Sequence, residues 1–349
     1  MTWTSVFAAC AAFALTWLAG IWFIPFLHKL KYGQTILDIG PKWHKEKKQG
    51  TPTMGGIMFI IAVFVSFVCG MILFHALGSQ DLSTGAGRQE LLRSSAGLVM
   101  AVLMGFMGFL DDFLKVKTKK NEGGLSVLQK TVIQVLIIAA YFATLYLSGD
   151  TGTTIMFPWG WQLDLGWLYY PIMGVVIYYL VNAVNLTDGI DGLCSSVTVV
   201  YMAAFAIISG IVGMFGHTLL AMCVAGGCIG FLMWNFPPAK VFMGDTGSMF
   251  LGGAVCALGV GCNAEILMIL AAMVYILEAL SVVIQVTIFK ITKKIYHTKE
   301  GKRFFKMTPI HHHFELSNWS EVKIDVVFSL VGALCGAAAV ALAVFMFGK

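Results

Sequence analysis

The chain has 349 residues, 58% of them hydrophobic and only 12% charged, with a formal net charge of +5. A soluble domain carries about 25% charged residues, so the composition excludes an ordinary soluble enzyme and makes a nucleic-acid partner unexpected. It points to an integral membrane protein.

A helix needs roughly 20 apolar residues to cross a bilayer. Ten such runs follow one another, at about 4–27, 55–77, 94–114, 127–148, 166–184, 194–213, 217–234, 247–263, 265–289 and 324–347. They are continuous rather than alternating, so helices are expected and a β-barrel is not. No connection is long enough for a separate soluble domain. The expected fold is an all-α polytopic membrane protein, with residues 1–349 as one domain. The first run has no Lys or Arg before it and basic residues after it, the wrong charge order for a cleaved signal peptide, and reads as a permanent helix. The eight cysteines fall within or beside the runs without a CxxC pair, as small, reduced, buried residues do.

With ten spans, 20 of the 23 Lys and Arg fall on one side of the membrane; Arg88, Arg93 and Lys349 fall on the other. The positive-inside rule makes the basic side cytoplasmic and puts both termini outside. The polar clusters sort the same way. "QGTPTMGG" (49–56), "DDFLK" (111–115), "NLTDGIDG" (185–192), "FMGDTGS" (242–248) and "TPIHHHFE" (308–315) are all on the cytoplasmic side. The outer 149–167 stretch is aromatic and nearly free of charge, suited to the membrane interface.

In chain order, Asp111 and Asp112 end the third run. Neighbours on a helix point about 100° apart, so two separate jobs are expected rather than one clamp. Asp188 and Asp191 are three apart and would share a face on a helical turn. Asp245 lies in a Gly-Asp-Thr-Gly-Ser turn before the eighth run. Carboxylate oxygens are hard ligands suited to Mg²⁺ with substrate phosphates. A lone Asp is more often a helix cap, but five on one face, ringed by lysines, favour a metal-phosphate site. Gly244, Gly247 and Ser248 open a helix whose free N–H groups suit a phosphate. No P-loop or dinucleotide-binding fingerprint is present. Glu278 lies inside the ninth run, with Gln285 two turns on along the same face; an intramembrane acid is a functional candidate, and a structural hydrogen bond is as good a reading. Gly226 and Gly230 read as helix packing. The three histidines 311–313 cannot all face one ion on a regular helix, and zinc-ligand spacing is absent. The residues therefore describe a cytoplasm-facing divalent-metal site for a phosphorylated soluble substrate, with a lipid phosphate as second reactant and phosphoryl-type transfer between them.

Together, "GTPTMGG", "GFLDDFLKV", "NAVNLTDGIDGL", "NFPPAKVFMGDTGS", "EALSVVIQV" and "TPIHHHFE" resemble the polyprenyl-phosphate N-acetylhexosamine-1-phosphate transferases over nearly the whole chain. "GTPTMGG" and "HHHFE" are similar to the muramoyl-pentapeptide branch. The resemblance implies transfer of phospho-MurNAc-pentapeptide from its UDP carrier to undecaprenyl phosphate, with Mg²⁺, in the bacterial cytoplasmic membrane. It implies that Asp245 holds the metal and that Asp111 and Asp112 sit at the lipid phosphate. By the same resemblance, His311 and His312 lie near the pyrophosphate or sugar, with His313 beside them. Asn185, Asp188, Phe242, Lys48 and Thr53 would serve the nucleotide end, Lys115, Lys119 and Lys130 the phosphates, and Asn182, Asp191 and Gln285 the substrate. "NEGGLSVLQK" departs from the family pattern by an extra residue before Lys130. The family breaks its ninth helix, and dimers are common in it.

A sibling that transfers N-acetylglucosamine phosphate is the nearest alternative. A transporter would place its polar residues near the midplane, often with internal repeats; here they cluster at one end and no repeat is seen.

Overall fold

The computed structural model describes residues 3–30, 48, 50–77, 84–118, 123–297 and 300–348. Lys119 lies outside the described residues, as does most of the basic connection after the first run.

The apolar runs become helices α1 (Trp3–Lys29), α2 (Gly56–Ala76), α3 (Gly85–Thr118), α4 (Val127–Leu147), α5 (Tyr169–Thr187), α6 (Leu193–Val212), α7 (Phe215–Asn235) and α8 (Gly244–Gly261). They continue as α9 (Glu265–Ala271), α10 (Met273–Ile295), the short α11 (Ile310–Glu315) and α12 (Glu321–Phe347). Among the described residues, nine helices are long and apolar enough to cross a membrane: all of these except α8, α9 and α11.

Several expectations shift. The eighth run is helical, but α8 carries six glycines and Asp245 in 18 residues, which lowers its apolarity. It has little need of apolar character toward lipid, because every residue from Thr246 to Gly261 is buried. The ninth run is broken at Ala272 into α9 and α10. The third helix spans 34 residues, about 51 Å at 1.5 Å per residue, so Asp111 and Asp112 lie within it rather than at its end. The aromatic 149–167 stretch folds into a two-stranded antiparallel hairpin, β1 (Thr154–Met156) with β2 (Gln162–Asp164). The end of the bundle bearing this hairpin holds more than the sequence suggested: Arg93 pairs there with Asp150 and reaches the Gly261 carbonyl oxygen. Of the cysteines, Cys10 and Cys69 face outward and Cys335 is half-buried; all eight are free.

Helix α8 is the axis of the fold, packed along α3 and against α5. Small residues make this possible. A Cβ on Gly253 would sit 2.7 Å from the Ala101 Cα, and one on Gly252 2.7 Å from the Val181 Cα. A Cβ on Gly108 would overlap the Asp245 carbonyl. Backbone-to-backbone approach of this kind drives helix association where lipid supplies no hydrophobic force between helices. The Gly226/Gly230 pair works as expected, seating the Ala9 and Phe13 carbonyls of α1 against α7.

Gly108→Ala is expected to push α3 from α8, destabilising the protein by about 1–3 kcal/mol. Gly174→Ala, whose nearest neighbour would be 3.7 Å away, is expected to be neutral or mildly stabilising. Thermal unfolding of both variants in detergent checks the pair; equal midpoints would refute the tight α3–α8 contact.

Candidate active site

The C-terminal ends of α3, α5 and α7 meet the N-terminal ends of α2, α4, α6, α8 and α12 at one end of the bundle. Short-range signals set each end. Ser126 and Gln129 form a reciprocal capping box that starts α4 three residues before Lys130. Ser320 caps α12 and presents Glu321. The 52–56 stretch is laced to the strand-like lead into α8: the Phe242 N–H donates to the Pro52 oxygen at 2.8 Å, and the Gly55 and Gly56 N–H groups donate to the Phe242 and Met243 oxygens.

At the centre, two carboxylates and two ammonium groups alternate. Lys115 Nζ lies 2.6 Å from Asp111 Oδ2 and 3.1 Å from Asp245 Oδ2. Lys130 Nζ lies 2.8 Å and 2.9 Å from the same two oxygens. Asp111 is buried, and its Oδ1 accepts the Leu125 N–H at 2.7 Å. Asp245 Oδ1 accepts from Asn185 Nδ2 at 3.1 Å, and the same amide donates to Ser248 Oγ. The extra residue before Lys130 does not keep its side chain from this ring.

Asp112 has a different job, as its position on the helix implied. Its Oδ1 accepts the Asp245 N–H at 3.2 Å; its Oδ2 accepts the Thr246 N–H at 2.9 Å and the Thr246 hydroxyl at 2.7 Å. Asp112 therefore caps α8 from another helix, favoured by the positive end of the α8 dipole. Gly244, at φ +72°, admits it: a Cβ there would overlap Asp112 Oδ2. The first N–H groups of α8 are thus filled by a carboxylate, and the expected phosphate cradle is closed by it. One oxygen from each of Asp111, Asp112 and Asp245 still lies within 4.8 Å of the others, a hard-oxygen set that suits a divalent cation.

The remaining expected residues spread outward. Lys48 pairs with Asp191 at 2.8 Å and with Glu321 at 2.6 Å. Burial works against its ammonium, but Glu321 and Asp191 outweigh that and raise its pKa above the ordinary value. Asp191 also accepts the Ala239 N–H. Asp188 and Asp191 do not share a helical face: Asp188 caps α5, and Asp191 lies in the turn that follows. Burial, then the Asp245, Asp112 and Asp191 carboxylates, push the Asp188 carboxyl well above its usual range. Thr53 is buried beside Gly244, and Phe242 is half-buried. Asn182 points away from the ring, to Gln134 of α4 at 2.8 Å. Gln285 is spent on backbone: it accepts the Phe304 and Phe305 N–H groups and donates to the Phe305 oxygen. The three histidines take three partners. His311 Nδ1 meets Glu278 Oε2 at 3.1 Å, His312 Nδ1 meets Glu315 Oε2 at 2.6 Å, and His313 Nδ1 accepts the Lys306 N–H.

Sequence reasoning missed Glu321, Thr246, Asn235 and Glu315. Asn235 accepts the Gly192 N–H and donates to the Val241 oxygen, tying the 188–192 turn to the α8 lead. Its place in "NFPPAKVF" was the available signal; Glu321 had none beyond opening an apolar run.

Comparison with known proteins gives the family. Residues 95–263 match the model of glycosyl transferase family 4, and residues 48–60 match signature 1 of phospho-N-acetylmuramoyl-pentapeptide-transferase. Proteins of that name from Shouchella clausii and Clostridioides difficile are each 41% identical to the chain, over 95% and 93% of both partners respectively. One from Bacillus thuringiensis is 42% identical over 93% of both. The chain belongs to the phospho-N-acetylmuramoyl-pentapeptide-transferase family. It is an enzyme of the phosphosugar-transferase class, and the two matched regions carry Lys48, Thr53, the charge ring and Asp112.

Asp112→Ala would strand the Asp245 and Thr246 N–H groups, at a cost of about 1–3 kcal/mol. The expected outcome is a lowered unfolding midpoint together with lost activity. An unchanged midpoint would show that α8 does not depend on this cap.

Proposed function

We propose that the protein transfers phospho-MurNAc-pentapeptide from UDP-MurNAc-pentapeptide to undecaprenyl phosphate, releasing UMP, from the cytoplasmic face of a ten-span bacterial inner-membrane fold with both termini outside. The observation that carries this reading is the ring of Asp111, Lys115, Asp245 and Lys130 at one end of an apolar helix bundle. It puts hard acids and mobile cations where a lipid headgroup and a soluble diphosphate can meet.

In the reaction, an oxygen of the lipid phosphate bonds to the phosphorus that bears the sugar. The bond from that phosphorus to the bridging oxygen breaks, and UMP leaves with the electron pair. Positioning and charge stabilisation account for most of such catalysis. Lys115 and Lys130 turn from carboxylates to phosphate oxygens and offset the charge that builds there. Asp111 takes the proton of the lipid phosphate at the Oδ2 that the two lysines give up, whereas Asp112 keeps its three donors from α8. Asn185 fixes Asp245. The donor set of Asp111, Asp112 and Asp245 fits Mg²⁺, with Asp245 as principal ligand, and the ion when bound supplies further neutralisation of the diphosphate. Lys48, Thr53, Asp188, Asp191 and Phe242 serve the nucleotide, with the Phe242 ring stacking on the base.

UMP release by purified protein tests the reading, with undecaprenyl phosphate, Mg²⁺ and either UDP-MurNAc-pentapeptide or UDP-GlcNAc. Release is expected with the muramoyl substrate alone and is expected to vanish in EDTA. Asp245→Asn is expected to lower kcat by at least about 100-fold in folded protein. Release with UDP-GlcNAc instead would move the enzyme to the sibling branch, and full activity in EDTA would remove the metal.

A further inference from the structure

Glu278 is the one intramembrane acid singled out by sequence that the mechanism above leaves unused. It is fully buried in α10, and its Oε2 lies 3.1 Å from Nδ1 of His311, which is also fully buried. The far ring nitrogen of His311, Nε2, has no hydrogen-bond partner among the described residues. It is aimed at Gly189: a Cβ on Gly189 would overlap Nε2. Gly189 is itself exposed and is not among the positive-φ glycines. The His311 ring, rather than backbone conformation, therefore requires a glycine at 189. Two turns further along α10, Gln285 pins the loop that leads to α11. The imidazole thus stands between a buried carboxylate and the underside of the turn that carries Asp188 and Asp191.

We propose that Glu278 and His311 are positioning residues. They form a buried strut that holds the 188–192 turn in place for the nucleotide, and His311 acts through Gly189 rather than by touching the phosphates. The proposal rests on the reading of that turn as the nucleotide end of the site. It assigns Glu278 the task of fixing the ring by accepting the Nδ1 proton, as carboxylates commonly do for functional histidines.

The test compares Glu278→Leu, Glu278→Gln and Gly189→Ala with wild type, in UMP binding and in KM and kcat for the UDP-sugar. Gln keeps an acceptor at Nδ1 and is expected to stay close to wild type. Leu and Gly189→Ala are expected to weaken UMP binding and raise KM by roughly 10- to 100-fold, with kcat changed far less. In a His311→Ala background, where the ring is gone, Gly189→Ala is expected to cost nothing further. Gly189→Ala lies on an exposed turn, so it carries the test if Glu278→Leu fails to fold. A collapse of kcat at unchanged KM would overturn the strut and put His311 on the reacting phosphates. Glu278→Gln as damaging as Leu, with a shifted pH profile, would replace positioning by a charge role. A harmless Gly189→Ala would also overturn the proposal. Absence of UMP binding by the wild type would sink the nucleotide reading and the strut together, whereas wild-type binding with unaffected variants would sink the strut alone.

Discussion

The site depends on how closely α3 approaches α8. Gly108 leaves no side chain between the helices, so the Asp245 carbonyl can lie against α3. Asp112 can then reach past Gly244 to the first N–H groups of α8. Helix ends leave four N–H groups without partners, and water is scarce at a buried end. The Asp112 carboxylate meets that need and in doing so fixes where α8 begins. Asp245, the first acid of α8, is thereby placed beside Asp111 rather than a turn above or below it. A packing choice at Gly108 and Gly244 sets the register of the charged groups.

That register explains how three carboxylates can share a small volume. Asp111, Asp112 and Asp245 bring three carboxyl groups together, and Lys115 and Lys130 bring two positive charges to them. Each ammonium bridges the same two oxygens, so neither carboxylate faces the other unscreened. Asp112 is offset by the α8 dipole instead. Removing one partner from such a set leaves a buried charge uncompensated, which costs more than the pair contributes.

Much of the helical framework was legible in the sequence, because membrane spans are written in composition. The acids of the ring could be named without coordinates because several of them gather at one end of the apolar runs, whereas Lys115 and Lys130 were named from the family resemblance. What stayed hidden depends on long-range approach. No glycine or proline marks the bend at Ala272, so the 265–289 run reads as one helix. Thr246 looks like an ordinary helix-start residue until Asp112 arrives from 134 positions away. Asp188 and Asp191 were read as sharing a face because their spacing fits a helix, yet the chain leaves α5 at Asp188. Asn182 and Gln285 carry polar groups suited to a ligand, but Gln134 and the 304–305 backbone claim them, since a buried amide left unpaired is costly.

The fixed and movable parts of the site divide by chemistry. Asp111 is held by the Leu125 N–H, Asp112 by three donors of α8, and Asp245 by Asn185. Their positions are set before any substrate arrives. Among the described residues the lysines are held only by the acids, and their side chains are 30% and 28% exposed. Each has a flexible stem and a compact charge that can swing to a new anion without disturbing a helix. Acids that stay and cations that turn suit phosphoryl transfer, because the preorganised groups need no rearrangement at the moment charge develops. The same division runs through the histidines. His311 is enclosed between Glu278 and Gly189, while His312 lies nearer the surface against Glu315, so adjacent residues in one motif can serve the scaffold and the rim.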